Sequence, residues 1–307
     1  MKKLRFLLSL TNGDNDYQIE QTSAAREAAR KLGVDLEIAH ARNDGVLQSQ
    51  QLLSFIQSTT APPPDAILFE PAGATAHPQA ARAAAAAGIG VALLNGDADY
   101  IAELRRISRA PVFAITSNHE EIGRIQGQQL ATLLPAGGIV LYIQGPAESS
   151  AAKQRYSGML ETKSQRVQLQ VVRAHWTKAS AYKAVSAWLR LSTSRQAQLA
   201  AVCAQDDSMA MGARKAFEEC PEQLAQWQKM PFLGCDGLPK TGQEWVRRNL
   251  LTATIFIPPN ADLAIEMMVK SIATGTLPPE RTFTTAKSFP AVEDLAQRSA
   301  RAHSASR

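Results

Sequence analysis

The chain has 307 residues, 45% of them hydrophobic and 20% charged, with a net charge of +5. That length exceeds one ordinary core and fits two units of roughly 150 residues, while the composition is that of a globular chain with no run approaching the roughly 20 apolar residues that span a bilayer. The excess charge is dispersed, part of it in the tail 298–307 (RSARAHSASR), which argues for a solvated surface and gives no reason to expect nucleic acid as a partner.

The opening MKKLRFLLSL imitates a short signal peptide, but Arg5 interrupts its apolar run and TNGDND stands where a small-residue cleavage site belongs, so residues 4–10 read as the first strand. A polar loop, Asn12 to Asp16, leads to a helix over 17–32 with Ala24, Ala25, Ala28, Ala29 and Leu32 on one face and Gly33 at its end. The alternation continues with strands at 34–39, 65–70, 90–95 and 111–117 and helices at 46–58 and 78–87. APPP at 61–64 is a loop before a strand and no domain linker, because the pattern resumes unchanged on either side.

After Ser117 the alternation restarts: a helix through Ile122, Ile125, Leu130 and Leu133, a strand at 139–144, a helix from Ser149, a strand at 168–174, a helix at 178–192, a strand at 199–204 with a helix running to Cys220, and a strand at 231–234. A β-rich run at 251–257 (LTATIFI), Pro258 and Pro259, a helix at 261–273 and one terminal strand near 282–288 complete the chain. Strands alternating with helices of ten or more residues mean parallel sheets with crossover helices. The predicted fold is α/β, two doubly wound parallel-sheet lobes that look like a duplication.

Residues 201–213 (AVCAQDDSMAMGA) read as a strand that delivers Asp206 and Asp207 to the mouth of a helix, and 231–237 (PFLGCDG) repeats the device with Asp236. Ligands of open α/β sheets bind beyond the carboxyl ends of the strands, so these carboxylates mark a polar pocket; capping the helix is the competing role for one of the adjacent pair. Cys203, Cys220 and Cys235 have neither metal spacing nor an even count, and Cys203 and Cys235 fall in predicted strands as inert buried thiols. The five histidines form no metal-spaced cluster, phosphate-loop and nucleophile-elbow motifs are absent, and nothing calls for a cofactor, a metal or a catalytic residue.

Four segments carry a resemblance: QGPAESSAAKQRYSGM at 144–159, AQDDSMAMGARKAF at 204–217, FLGCDG at 232–237 and LTATI at 251–255, supported more weakly by FEPAG at 69–73, TSNHEEIGRIQG at 116–127 and the loop after the first strand. In order and spacing they resemble the type 1 periplasmic binding protein family, in its sugar-binding branch near the ribose binders, which shares its fold with the effector domains of lactose-repressor-type regulators. The resemblance implies two lobes, 1–117 with 258–284 and 118–257 with 285–307, joined by a three-crossing hinge, and a small-molecule ligand clamped between them. It implies ligand contacts from Thr11, Asn15, Tyr17, Gln18, Glu70, Asn95 and Ser117 in the first lobe, from Arg155, Trp176, Asp206 and Asp236 in the second, and from Ile257 at the hinge. The residue types suit a sugar: carboxylates and amides meet vicinal hydroxyls, an arginine donates from a rigid fork, and aromatic faces cover a ring.

Ribose binders tend to carry Asp-Arg where this chain has Asn95 and Gly96, asparagine where Glu70 and Asp206 stand, and glutamine where Ile257 stands. Donors are lost and acceptors gained, with Arg155 as the main strong donor facing Glu70, Asp206 and Asp236, so the implied ligand is a donor-rich neutral polyol or a sugar larger than a pentose, with a cationic amine as the alternative. The implied function is non-enzymatic binding by a monomer whose hinge closure is read by a membrane transporter or a sensor. An effector domain without its DNA-binding part is the alternative; a complete regulator needs a helix-turn-helix region of roughly 60 residues before the first strand, which here begins at Leu4. An enzyme on this scaffold would use the carboxylates as general acid and base. The expected compartment is the periplasm for the mature part of an exported protein and the cytoplasm for a chain starting natively at Met1.

Overall fold

The computed structural model describes residues 3–73, 76–191, 197–220, 227, 228 and 230–297, and the basic tail 298–307 lies outside them. In chain order the elements are β1 (Arg5–Leu10), α1 (Asp16–Leu32), β2 (Asp35–His40), α2 (Gly45–Ile56), β3 (Ala66–Phe69), α3 (Pro78–Ala86), β4 (Gly90–Leu94), α4 (Tyr100–Ile107) and β5 (Val112–Ser117). There follow α5 (His119–Leu133), β6 (Gly138–Gln144), α6 (Ser150–Thr162), β7 (Val167–Arg173), α7 (Lys178–Leu189), β8 (Leu199–Ala204), α8 (Asp207–Glu218), β9 (Phe232–Leu233), α9 (Gly242–Arg247), β10 (Thr254–Phe256), α10 (Ala261–Thr274), β11 (Arg281–Thr284) and β12 (Lys287–Phe289). They divide into two compact units, Met1–Ser117 with Pro259–Thr284 and Asn118–Pro258 with Thr285–Arg307, so the chain passes between the units three times.

In the first unit six parallel strands lie in the order β2-β1-β3-β4-β5-β11. Strands β3, β4 and β5 are buried along their whole length and β1 from Phe6 onward, as strands covered on both faces must be, whereas the edge strand β2 alternates exposed and half-buried positions. Period-two alternation sends Leu7, Ile67, Phe69, Val91 and Leu93 to the face under α2, α3 and α4, and Phe6, Leu8, Leu68, Phe113 and Ile115 to the face under α1 and α10. The second unit has the parallel order β7-β6-β8-β9, the same winding as β2-β1-β3-β4. Its faces are filled by Leu141, Ile143 and Val202 under α7 and α8, and by Val140, Tyr142 and Cys203 with Leu130 of α5 and Met159 of α6. Burial pushes the Cys203 and Cys235 thiols well above their ordinary range, so both are inert side chains of the core.

Three expectations are corrected. The single terminal strand near 282–288 is two strands, β11 adding in parallel to β5 and β12 pairing antiparallel with β10, because the chain changes unit between Thr284 and Thr285. Helix α4 has no counterpart in the sequence reading; only Tyr100, Ile101 and Leu104 are buried in its eight residues, too short a stripe to stand out. On α1, Leu32 is 41% exposed and Ala24 half-buried, and the buried stripe runs through Tyr17, Gln18, Gln21, Ala25, Ala28 and Ala29, so its first turns bury amides.

Candidate ligand site

In the first unit the candidate residues stand at the carboxyl ends of the strands. Thr11 follows β1, and its carbonyl accepts from Asn43 N at 2.7 Å while its hydroxyl accepts from Asn12 Nδ2 at 3.4 Å. Asn15 caps α1, its Oδ1 accepting from the amides of Tyr17 at 2.7 Å and Gln18 at 3.4 Å, as an N-cap asparagine does. That cap starts the helix so that Tyr17 and Gln18 are buried beside the ends of β3 and β4. There, Glu70 Oε2 accepts from Gln18 Nε2 and from Asn95 Nδ2, each at 3.0 Å, and Asn95 Nδ2 also reaches the Tyr17 hydroxyl at 3.2 Å. Ser117 ends β5, 2% exposed, with its hydroxyl 2.7 Å from Thr284 Oγ1.

Two features of this cluster point beyond packing. Gln18 Oε1 is buried and has no hydrogen-bond partner, although its Nε2 is committed to Glu70; a buried acceptor left unmade costs about 1–3 kcal/mol. Asn95 has φ +48°, a left-handed conformation uncommon for a residue with a side chain.

A second amide network holds the Glu70 loop. Gln48 is fully buried, donating from Nε2 to Ser9 Oγ at 3.0 Å and to the Glu70 carbonyl at 2.8 Å, and accepting at Oε1 from Ala72 N at 2.7 Å. His77 Nε2 also lies 2.6 Å from Gln48 Oε1. Because a backbone carbonyl can only accept and a backbone amide only donate, the Gln48 orientation is fixed and His77 Nε2 must carry a proton. Burial holds the His77 imidazole below its ordinary pKa.

In the second unit Arg155, on α6, is 7% exposed, donating from Nη1 to the Gln205 carbonyl at 2.5 Å and from Nε to His119 Nδ1 at 3.4 Å, with its guanidinium carbon 5.6 Å from the centroid of the Trp176 ring. These contacts set Arg155 against a carbonyl, an imidazole and an indole face. Gln205, fully buried, binds Tyr142 Oη and the Ala152 carbonyl through Nε2, each at 2.9 Å, and accepts from Gly145 N at 2.9 Å, which ties the ends of β6 and β8 to α6. Trp176, half-buried beyond β7, has φ +58°.

The adjacent aspartates divide their labour. Asp206 is the N-cap of α8, accepting from Met209 N at 2.5 Å, which is the capping role weighed for one of the pair. Asp207 accepts from Gly237 N and from Thr254 Oγ1, both at 2.7 Å, and so fastens the loop after β9 and strand β10 to the start of α8. Asp236 has φ +106°, with its amide donating to the Ile255 carbonyl and its carbonyl accepting from Ile257 N, each at 2.9 Å. Ile257 is 1% exposed.

Asn95, Trp176 and Asp236 thus each hold a left-handed backbone beyond a strand end. Sequence reasoning missed Gln21, Gln48, His77, His119, Gln205 and Asn260, which hold the candidates in place; glutamines on an otherwise apolar helix stripe were the available signal. Among the described residues no group of three or more His, Cys, Asp or Glu could hold a metal, and no helix is long and apolar enough to cross a membrane.

The periplasmic binding protein domain profile matches residues 6–276. The chain belongs to the type 1 periplasmic binding protein family. The resemblance seen in its motifs is borne out, and so is the two-lobed α/β fold. A putative rhizopine-binding protein of Rhizobium meliloti is 28% identical over 220 residues, 70% of this chain and 64% of that protein, just under two thirds of its length. The ribose import binding protein of Escherichia coli K12 is 26% identical over 256 residues, 83% of this chain and 79% of that one. Among solved structures, an ABC transporter solute binding protein from Bacillus halodurans C-125 with bound myo-inositol superposes with a TM-score of 0.77 at 21% identity, covering 97% of this chain and 98% of that one, a likeness of fold. These relatives are named as solute-binding proteins, not as enzymes.

Proposed function

We propose that this protein binds a small neutral carbohydrate-like solute, a sugar or polyol, without chemical conversion, and that closure on the ligand is read by a transporter or a sensor. The observation that carries the reading is the Gln18–Glu70–Asn95 cluster at the strand ends, where a carboxylate holds two amide donors and Gln18 Oε1 stays buried without one. A polyol hydroxyl is the donor that this acceptor lacks. Arg155 and Trp176 are the proposed contacts from the second unit, a cationic fork and an apolar ring face; Thr11, Asn15, Tyr17, Ser117, Asp206, Asp236 and Ile257 complete the proposed set. Names among the relatives support the class: ribose, rhizopine and myo-inositol.

A cationic amine is the second reading, favoured by the same two acceptors, since an ammonium donates to a carboxylate and to an amide oxygen together. Titration calorimetry with D-ribose, a neutral hexose, myo-inositol, a sugar acid and a small polyamine separates the readings. The neutral compounds should bind at least about tenfold more tightly than the sugar acid, a gap of about 1.4 kcal/mol. Tightest binding of the sugar acid overturns the acceptor-rich site, and turnover of any compound overturns non-enzymatic binding.

A further inference from the structure

We propose that Gln21 and Asn260, outside the candidate contact set, are positioning residues that fix the polarity of Asn95 and so decide which of its atoms faces Glu70. The inference rests on the reading of Glu70 as a ligand acceptor, and its geometry lies wholly within the first unit.

The relay begins at a donor that cannot be reversed. The backbone amides of Asn260 and Ala261, at the start of α10, both donate to Gln21 Oε1 at 2.9 Å, which turns Gln21 Nε2 to Asn260 Oδ1 at 2.8 Å. Asn260 must then present Nδ2 on its other side, where it meets Asn95 Oδ1 at 2.8 Å and the Ile115 carbonyl at 3.2 Å; that carbonyl, an obligatory acceptor, favours the same orientation. Asn95 in turn has only Nδ2 left for Glu70 Oε2, at 3.0 Å. Side-chain amides are easily turned end for end, but here two sets of backbone groups leave one arrangement. Gln21 and Asn260 are both fully buried, where a mismatched amide finds no water to correct it. Asn260 also lies two residues past the point at which the chain re-enters the first unit, so the relay ties that crossing to the Glu70 carboxylate.

The test reverses the polarity at two different links. In Asn260→Asp the new carboxylate cannot donate, so Asn95 must turn Nδ2 toward it and set Oδ1 against Glu70. In Gln21→Glu the donor to Asn260 Oδ1 is replaced by a carboxylate, whose charge-assisted demand for a donor outweighs the longer 3.2 Å bond to the Ile115 carbonyl, so Asn260 turns Nδ2 toward it and the same reversal starts one link earlier. Each is combined with Glu70→Gln, whose amide can donate to a reversed Asn95, and urea midpoints are measured on the ligand-free full chain. Glu70→Gln is expected to shift the midpoint more favourably in either reversed background than in the wild type, and to lose that advantage in Asn260→Ala, where the relay is cut without being reversed. The same shift in every background overturns the proposal, as does an advantage that survives Asn260→Ala. If Asn260→Asp does not fold, the Gln21→Glu pair decides alone. Calorimetry with myo-inositol and D-ribose forms a separate arm: Gln21→Glu should weaken binding at least tenfold, whereas a wild-type protein that binds neither would defeat the sugar reading and leave the midpoint comparison standing.

Discussion

The ring of Trp176 fills the space that a side chain on residue 145 would occupy: a Cβ built on Gly145 overlaps its six-membered edge. Glycine at the end of β6 is therefore what admits the indole, whose ring also lies 5.6 Å from the Arg155 guanidinium carbon. Gly145→Ala should expel the ring and weaken ligand binding at least about tenfold, or about 1.4 kcal/mol, with far-ultraviolet dichroism unchanged. Calorimetry of the variant with the tightest wild-type ligand checks this; unchanged affinity would show that Trp176 serves only packing.

Arg155 holds the Gln205 carbonyl and is the proposed ligand donor, so its removal should register in two measurements. Arg155→Ala deprives the buried Gln205 carbonyl of its 2.5 Å donor, which should lower stability by about 1–3 kcal/mol. It should also lower affinity at least about tenfold, since it removes the donor fork proposed for the ligand. Arg155→Lys supplies a point charge that cannot serve the carbonyl and His119 together, and it should recover only part of either loss. Urea unfolding and calorimetry read the two effects separately, and a variant that loses stability but binds normally assigns Arg155 to structure alone.

Much of the fold was legible because a parallel sheet writes itself as apolar runs separated by helices, and β1, β3, β4, β6 and β8 are such runs. Legibility failed where the signal depends on tertiary partners. Strands β11 and β12 read as one because their division reflects the return of the chain to the second unit, and α4 buries too few residues to set a period. Most candidate residues were proposed through motif resemblance, whereas Asp206, Asp207 and Asp236 followed from strand-end patterns that named the adjacent pair without telling which one caps. That distinction is geometric: Asp206 meets Met209 N, while Asp207 reaches Gly237 and Thr254, distant in sequence. The amides behind the site were missed for a related reason: a glutamine on a helix stripe marks a buried polar group without showing which backbone groups it will serve.

Asp207 and Gly234 give a stability prediction independent of any ligand. A Cβ on Gly234 would overlap Asp207 Oδ1, the atom that accepts from Thr254 Oγ1. Gly234→Ala should displace the carboxylate and destabilise by about 1–3 kcal/mol, the usual cost of overpacking. Asp207→Ala should lose at least as much, leaving the buried Gly237 amide without its acceptor. If the two losses share one cause, the double variant will fall short of their sum, and strict additivity in urea unfolding would show two unrelated effects.

The last prediction concerns pH and His77. Burial depresses its folded pKa below the ordinary 6.5, which the unfolded chain recovers. Between the two values the unfolded chain holds a proton that the folded protein refuses, so stability rises with pH across that window. The contribution is complete above the unfolded value of about 6.5 and is lost as the pH falls toward the folded one. Protonation leaves the Nε2 donor to Gln48 in place, since that nitrogen already carries its hydrogen; the penalty is the charge in a site packed against Phe69, whose ring centroid lies 5.9 Å away. His77→Gln keeps a donor for Gln48 but cannot take up the proton. Unfolding free energies at about pH 7.5 and pH 5 should therefore differ less in the variant than in the wild type, because every other titratable group is common to both. Equal pH dependence in the two proteins would mean that the imidazole takes up its proton as readily folded as unfolded.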